Sequence, residues 1–386
     1  MNKTVCTVII ALLGACGDRG ALEQQSAELC QVLSAQNADQ CIRLNQIQVL
    51  GTHNSYKMTP ASALVDALNE YRTDWSANIN YNHRPLTEQL QLLGIRQFEL
   101  DVFADPDGGL YAEPAGALLV EDTNFLNSAE MMEPGFKVLH SQDVDYRSTC
   151  LSLKSCLQEV HDWSIANPAH FPILIMLEMK DAHRPPFGPI IYTSPIAIDV
   201  ANIYQIDEEI WSVFSSAQVI TPDQVRDSYS SLEQAVTTKG WPTLAESRGK
   251  VLFALDNTGT HRDAYLSESA GLQGRAMFVS SLPGEPTAGF IKMNDVIADF
   301  EAIQSYVAAG FLVRTRSDIP TIEARSGSTV RRDRALASGA QYVSTDYPEP
   351  SPFGSAYIVK LPETDGHARC NPVAAPTDCK SEFLSE

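Results

Sequence analysis

The chain is short of positive charge: its 386 residues include 28 Lys and Arg against 48 Asp and Glu, which gives a formal net charge of −20. A nucleic-acid groove needs clustered Lys and Arg to meet the phosphate backbone, so this composition argues against nucleic acid as a partner. The sequence also lacks CxxC pairs, which argues against a zinc site. Beyond the amino terminus, no apolar run reaches the roughly 20 residues of a membrane-spanning helix.

The amino terminus predicts export. Lys3 supplies a positive charge and residues 5–15 form an apolar stretch, as in a signal peptide. The stretch ends in Leu-Gly-Ala-Cys at Cys16, which resembles the lipobox of bacterial lipoproteins. That resemblance implies that Cys16 becomes the lipidated first residue of the mature chain. An ordinary secretory signal is the alternative, so we expect either a lipid anchor in the bacterial cell envelope or secretion.

Six cysteines remain if Cys6 is lost with the signal and Cys16 is acylated. They form three close pairs along the chain, namely Cys30/Cys41, Cys150/Cys156 and Cys370/Cys379. An even number of cysteines in local pairs is typical of disulfides in an exported protein, although sequence alone leaves their connectivity open.

Composition divides the rest of the chain into three parts. Residues 17–44 are polar and rich in Gln and Ala, which indicates a tether and a small cap. Residues 45–350 alternate apolar strand candidates with helical stretches, the pattern of α/β architecture. Residues 351–386 are rich in proline and carry the final cysteine pair. The sequence therefore predicts one catalytic domain followed by a disulfide-strapped extension.

Eight strand candidates lie in the central part, at 47–53, 96–102, 137–140, 173–180, 250–256, 276–281, 311–315 and 341–346. Helical patterns between them include 86–93, 151–166 and 295–309. Eight strands alternating with helices favour a closed (β/α)8 TIM-type barrel over an open sheet. The long connections at 104–136 and 181–249 are expected to form insertions, and the second to shape the substrate entrance.

Four of these strand candidates turn polar only at their carboxyl ends. The polar residues are His53 and Asn54 in LGTHNSY, Glu99 and Asp101 in FELDVF, His140 in KVLHSQ, and Glu178 in ILIMLEMKD. Parallel barrel strands present their catalytic residues at the carboxyl-terminal rim. We therefore expect these side chains to lie close together.

The acidic residues of this set indicate a metal site. Residues two apart in a strand project to the same side, so Glu99 and Asp101 point together. Carboxylates brought together repel one another unless a cation joins them. Ca²⁺ accepts roughly six to eight oxygen ligands, including carboxylates and Asn carbonyls, in adaptable geometry. The sequence therefore predicts a hard-cation site formed by Asn54, Glu99, Asp101 and Glu178.

The two histidines indicate acid–base chemistry at phosphorus. One imidazole would assist attack by an oxygen nucleophile while the other protonates the leaving alkoxide. Lys180 is the nearest cation to hold a phosphate. Arg314 and Arg316, two apart on a late strand, are further candidates for substrate contact. Salt bridges at the barrel rim are the alternative role for the two arginines.

The set HN…ExD…H…E, with PLTEQLQLLGIRQFELDV and CLSLKSCLQEVHDWSIANPAHFPILIMLEMKD, resembles the phosphatidylinositol-specific phospholipase C superfamily. The closer resemblance is to its bacterial Ca²⁺-dependent branch, over residues 45–350. It implies Ca²⁺ as the cofactor, bound by Asn54, Glu99, Asp101 and Glu178. His53 would be the base or transition-state stabiliser, His140 the general acid for the diacylglycerol oxygen, and Lys180 a substrate contact.

The resemblance also implies a reaction. The inositol 2-hydroxyl would attack the phosphorus, diacylglycerol would leave, and a cyclic inositol phosphate would form that water can open. Glu99 or Glu178 could replace His53 as the group that removes the 2-hydroxyl proton. Pleckstrin-homology, EF-hand and C2-like segments are absent from the sequence, so membrane targeting would fall to the lipid anchor or to barrel loops. We expect a monomer whose partners are a phospholipid surface and its inositol lipids.

Three other functions stay open. A glycerophosphodiester phosphodiesterase has a related barrel with a His, an ExD pair and a second His, but its first histidine is followed by Arg where this chain has Asn54. The segment YVSTDYP does resemble the last strand of that family. A sphingomyelinase-D-like activity is a second alternative. A catalytically inactive lipid-binding lipoprotein is the third, although binding alone would not require both imidazoles.

Overall fold

A computed structural model of the protein describes residues 28–126, 128–364 and 366–386. The strands within these residues are β1 Ile47–Thr52, β2 Gln97–Phe103, β3 Lys137–Val138, β4 Ile173–Met179, β5 Val251–Leu255, β6 Met277–Val279, β7 Phe290–Lys292, β8 Leu312–Arg316, β9 Tyr342–Thr345 and β10 Arg369–Cys370. Eight of them pair in the order β6-β5-β4-β2-β1-β9-β8-β7, all parallel. A parallel bridge between Ser280 and Phe290 joins the two ends of this order. The eight strands therefore form the nearly closed TIM-type barrel that the sequence predicts.

The α-helices are α1 Ala38–Cys41, α2 Ser62–Asn69, α3 Leu86–Leu93, α4 Ala115–Leu119, α5 Ala129–Met132, α6 Leu153–Ala166, α7 Gln205–Val213, α8 Pro222–Arg226, α9 Leu232–Thr238, α10 Leu244–Ser247, α11 Thr260–Leu266, α12 Phe300–Ala308, α13 Ile322–Ser326 and α14 Val330–Ala337. Short 3₁₀ turns lie at Leu44–Gln46 and Ser381–Phe383. Local chemistry sets several boundaries. The hydroxyl of Ser152 accepts from the amide of Ser155 at the start of α6, and Gly94 ends α3 with a left-handed φ of 65°.

One strand of the barrel differs from the sequence-based expectation. The chain forms only the two-residue β3 where the sequence predicts a strand at 137–140, and β3 pairs antiparallel with β2 outside the ring of eight. The barrel strand in its place is β7, which the sequence analysis misses. Only two of the three residues of β7 are apolar, so the segment gives no recognisable period.

The insertion after β2 and the segments after β1 and β4 together build a second hydrophobic cluster at the carboxyl end of the barrel. Its larger members are Leu64, Leu68, Trp75, Phe103, Tyr111, Phe125, Met131, Leu139, Val144, Tyr146 and Ile190. Leu139, the neighbour of His140, is 1% exposed within this cluster. Packing of the insertion therefore fixes the segment that carries His140.

The connection 181–249 was expected to shape the substrate entrance, but part of it lies at the opposite end of the barrel. It contains α7 to α10, but Trp241 lies at the amino end of the barrel. Its indole is fully buried, and Nε1 donates to the carbonyl oxygen of Gly310 (3.0 Å), just before β8. The chain must return to this end before β5, because parallel strands all start there.

Both ends of the described chain also pack at the amino end of the barrel. Asp39 forms an ion pair with Arg248 (2.6 Å), and β10 pairs antiparallel with the start of β1 through Ile47 and Cys370. The three predicted cysteine pairs are disulfides, namely Cys30–Cys41, Cys150–Cys156 and Cys370–Cys379. The predicted signal peptide and the lipidation site Cys16 lie outside the described residues. Within the described residues, every helix is too short or too polar to cross a bilayer.

Glu386 ties the carboxyl-terminal extension to the barrel. Its carboxylate pairs with Arg96, whose side chain has no exposed area, with 2.9 Å between Nε and Oε1. The other carboxylate oxygen lies 2.7 Å from Nδ1 of His367. Burial alone would raise the pKa of Glu386, but hydrogen bonding with His367 and Arg96 outweighs burial and holds this pKa at about 2.

Glu386→Gln should lower the free energy of unfolding at pH 7 by about 3 kcal/mol, because it leaves the Arg96 guanidinium buried without its counter-charge. The pKa of Glu386 in the folded protein lies below its usual value of 4.5, so the stabilisation is present above about pH 4.5 and is lost as the pH falls toward 2. Urea unfolding of both proteins across this range measures the difference.

Glu382→Gln is the matched control. Its carboxylate is 72% exposed and 3.8 Å from Lys380, so its removal should change stability little. Equal losses from the two substitutions at pH 7 would contradict the assignment of Glu386 as the tie.

Candidate active site

Three carboxylates meet at the carboxyl end of the barrel. Asp101 and Glu178 are direct partners in the register of β2 and β4, and Glu99 lies two residues earlier on the same side of β2. Ligand oxygens of the three side chains lie within 4.8 Å of one another. Glu99 and Asp101 are buried while Glu178 is partly exposed, so the cluster opens toward the mouth of the barrel through Glu178.

Asn54 follows β1 beside this cluster. Its φ of 46° lies in the left-handed region, which Asn tolerates better than most residues, and the next amide, of Ser55, donates to the carbonyl oxygen of Glu99 (2.9 Å). Oδ1 of Asn54 and Oδ1 of Asp101 are buried, and neither accepts a hydrogen bond from any residue that the structure describes. Buried acceptors without donors are costly, and a hard cation would satisfy them. The oxygen donors of this set therefore fit Ca²⁺.

Electrostatics of the carboxylates favour a cation at this place. Burial raises the pKa of Asp101 well above its usual value, and burial raises the pKa of Glu99 to about 7 although Arg314 opposes the shift. Nζ of Lys180 lies 3.1 Å from Oδ2 of Asp101 and 3.3 Å from Oε1 of Glu178. Burial alone would raise the pKa of Glu178, but Lys180 outweighs burial and lowers this pKa. The same ammonium does not offset the burial of Asp101, whereas a divalent cation would favour the ionised form of all three carboxylates.

The two candidate arginines differ in their exposure. Arg314 is fully buried, and its guanidinium bonds to Glu99, Asn294 and Ser344. Arg316 is 13% exposed; one of its amino groups lies 3.1 Å from Nε2 of His53 and the other 3.2 Å from Asp346. The donors of Arg314 are thus used within the barrel, while Arg316 stands next to a histidine at the mouth.

His53 is held by a carboxylate. Its Nδ1 lies 2.9 Å from Oδ1 of Asp346, which follows β9, and its Nε2 lies 3.7 Å from Oε1 of Glu99. Burial, reinforced by Arg316 and Arg314, holds the pKa of His53 well below its usual value. The imidazole is therefore neutral at pH 7, with Asp346 in position to accept the Nδ1 proton. Nε2 is then the unprotonated nitrogen, and it accepts from the guanidinium of Arg316.

His140 forms a second pair of the same kind. Its Nδ1 lies 2.7 Å from Oδ2 of Asp145, and its side chain is 24% exposed. Burial lowers the pKa of His140, although the hydrogen bond with Asp145 opposes the shift. The site thus contains two imidazoles, each oriented by its own carboxylate, beside one acidic cluster.

Neither orienting carboxylate was predicted from the sequence. Asp346 does carry a signal, because the strand predicted at 341–346 ends on it. Asp145 carries none, since it lies in a loop, where a turn closed by a bridge between Ser141 and Asp145 brings it back to His140. Lys292 is missed together with β7, and its Nζ forms an ion pair with Asp256 (2.5 Å) at the ends of β7 and β5.

Comparisons with known proteins agree with this geometry. Residues 42–372 match the family described as phosphoinositide phospholipase C, Ca²⁺-dependent. Among solved structures, the chain is similar to a calcium-dependent phosphoinositol-specific phospholipase C from Pseudomonas sp, at 15% identity and a TM-score of 0.53, covering 88% of this chain and 98% of that one. It is also similar to a Ca²⁺-dependent phosphatidylinositol-specific phospholipase C from Streptomyces antibioticus, at 17% identity and a TM-score of 0.50, covering 83% and 99%. No curated protein sequence matches.

Asp101→Asn should weaken Ca²⁺ binding by about tenfold or more, because the affinity of such sites follows the number of charged ligands. Isothermal titration calorimetry with CaCl₂ measures the change. Asp122→Asn is the control: Asp122 is buried beside Arg147 (2.8 Å), apart from the acidic cluster. Equal Ca²⁺ affinity of the Asp101 variant and the unmodified protein would exclude Asp101 as a ligand.

Proposed function

Because the chain belongs to the family of Ca²⁺-dependent phosphoinositide phospholipases C, we propose that it cleaves the phosphodiester of phosphatidylinositol-type lipids. The inositol 2-hydroxyl attacks the phosphorus, and the products are diacylglycerol and a cyclic inositol phosphate that water can open. The two histidine–carboxylate pairs beside the acidic cluster carry this proposal, since cleavage by internal attack needs one proton removed and another supplied. Both pairs also favour an enzyme over an inactive lipid-binding protein.

The Ca²⁺ ligands in this proposal are Asn54, Glu99, Asp101 and Glu178. When bound there, Ca²⁺ neutralises charge on the phosphoryl oxygens and lowers the pKa of a coordinated hydroxyl. Lys180 is partly exposed, so its flexible side chain can exchange the carboxylates for the substrate phosphate. Arg316, beside His53, adds a second positive charge for the phosphate. Arg314 contributes from within the barrel by holding Glu99.

His53 acts as the base or as a stabiliser of the transition state. Its neutral imidazole keeps the Nδ1 proton on the side of Asp346, so Nε2 becomes available to the 2-hydroxyl when Arg316 turns from Nε2 to the substrate phosphate. Glu99 lies 3.7 Å from Nε2 and could remove the proton instead, as could Glu178.

His140 acts as the general acid for the diacylglycerol oxygen. Burial lowers its pKa in the free protein, but a phosphodiester anion at the mouth would favour the imidazolium form. Asp145 stabilises that cation through Nδ1, and Nε2 then delivers its proton to the leaving alkoxide. The partial exposure of His140 is consistent with a leaving group that remains in contact with lipid.

The proposed partner surface is a phospholipid bilayer. Four apolar side chains are exposed on the segments that form the second hydrophobic cluster, namely Leu118, Leu119, Met132 and Ile191. Their neighbours Ala117, Met131 and Ile190 pack in one cluster with Leu139, next to His140, so the four side chains could enter the interface between headgroups and acyl chains. We further propose a monomer exported to the bacterial envelope and anchored through Cys16, or otherwise secreted; its three disulfides are typical of an oxidising compartment.

The proposed reaction can be followed by phosphorus NMR. Protein lacking residues 1–16 is incubated with phosphatidylinositol vesicles or glycerophosphoinositol, with calcium or a chelator. We expect a calcium-dependent cyclic inositol phosphate signal from the vesicles, reduced at least about 100-fold by His53→Ala, because a positioned acid–base group contributes that much. Release of glycerol 3-phosphate without a cyclic species would instead identify a glycerophosphodiesterase. Absence of product from both substrates would refute the proposal.

A further inference from the structure

Lys57 is a buried lysine next to the active site to which the proposed reaction gives no role. Its side chain has no exposed area, and Nζ donates to the carbonyl oxygens of Ile79 (2.6 Å) and Met58 (3.1 Å). The same nitrogen lies 3.2 Å from Oδ1 of Asp145. Burying an ammonium is costly unless it is paired and hydrogen-bonded. Lys57 meets both conditions, and its ion-pair partner is the carboxylate that orients His140.

Asp145 divides its two oxygens between Lys57 and His140. Oδ1 faces the ammonium, and Oδ2 lies 2.7 Å from Nδ1 of His140. Burial alone would raise the pKa of Asp145, but Lys57 and His140 outweigh burial and lower this pKa. The carboxylate therefore stays ionised and accepts the Nδ1 proton, which fixes the tautomer and directs Nε2 away from Asp145.

Lys57 also supports the side of the site that carries His53. Its Nζ lies 4.6 Å from the centre of the Tyr81 ring, an attractive placement for an ammonium. The Tyr81 hydroxyl accepts from Nδ2 of Asn54 (2.7 Å) and lies 3.4 Å from Nδ1 of His53. One buried cation thus contacts the supports of both imidazoles.

We propose that Lys57 is a positioning residue for the phosphodiester cleavage, acting on His140 through Asp145 and on His53 through Tyr81. The inference rests on the proposed function, because it takes His140 to protonate the leaving alkoxide. Misalignment of His53 slows every substrate. Misalignment of His140 slows only those substrates whose leaving group needs a proton. A rate loss that depends on the leaving group therefore shows that Lys57 acts on His140 through Asp145.

The test compares two substrates in protein expressed from the complete sequence and purified in detergent. Phosphatidylinositol has an alkoxide leaving group that needs a proton, whereas the p-nitrophenyl ester of inositol phosphate releases nitrophenolate without one. For Lys57→Met we expect the ratio of kcat on the lipid to kcat on the nitrophenyl ester to fall by about tenfold or more, within the range of general-acid effects. KM for the nitrophenyl ester should change little.

A second variant distinguishes loss of the Lys57 charge from general misfolding of the site. Lys57→Gln removes the charge but keeps a donor for the carbonyl oxygens of Ile79 and Met58, and it should lower the ratio in the same way. Arg96→Met is the matched control, because Arg96 is equally buried and pairs with Glu386 at the amino end of the barrel, opposite the mouth. It should leave the ratio unchanged whatever it does to stability.

Three outcomes overturn the inference. The ratio could stay constant in both Lys57 variants, or Arg96→Met could lower it equally. His140→Ala could also leave it unchanged, which would remove the assigned role of His140 and that of Lys57 with it, while lipid cleavage itself still stands. Failure of the proposed function looks different, since the unmodified protein would then release no cyclic inositol phosphate.

Discussion

Repulsion among carboxylates buried at one end of the barrel is the constraint on which the site depends. Parallel strands end at a common rim, so every acidic residue at a strand end is added to the same small volume. The chain has few cations, and it places several of them here as partners of these acids. The ion pairs are Arg314 with Glu99, Arg316 with Asp346, Lys57 with Asp145, Lys180 with Asp101 and Glu178, and Lys292 with Asp256. Even so, Asp101 and Asn54 keep unpaired oxygens, and those atoms define the place for a metal.

The two imidazoles are held by different parts of the molecule. His53 follows β1 and meets Asp346 after β9, its neighbour in the barrel, so its position follows from strand pairing. His140 lies in a loop whose position depends on the second hydrophobic cluster. Loss of packing in the insertion would therefore displace His140 before His53. The barrel alone positions one of the two imidazoles, and the insertion positions the other.

Residues and elements that depend on a local sequence pattern could be predicted, whereas those that depend on tertiary contacts could not. An apolar run that ends in a polar residue marked Glu99, Asp101 and Glu178, because buried parallel strands become accessible only at their ends. The barrel was predictable for the same reason, apart from β7, which is too short to show a period. Lys57 could not be recognised, because its partner Asp145 is distant in sequence. The connection 181–249 was expected at the entrance although Trp241, just before β5, lies at the amino end of the barrel, since the direction of a long connection cannot be read from its composition.

Both ends of the described chain lie at the amino end of the barrel, and the mouth lies at the other. A lipid on Cys16 would join the folded domain through the residues that precede the cap, which span at most about 3.5 Å each. With such an anchor, attachment and substrate capture would use opposite ends of the barrel. A molecule whose barrel axis is perpendicular to the membrane would point its mouth away from it, and only a tilted molecule could bring the mouth to the bilayer that holds it. The length of the tether would then determine which lipid surface the enzyme can reach.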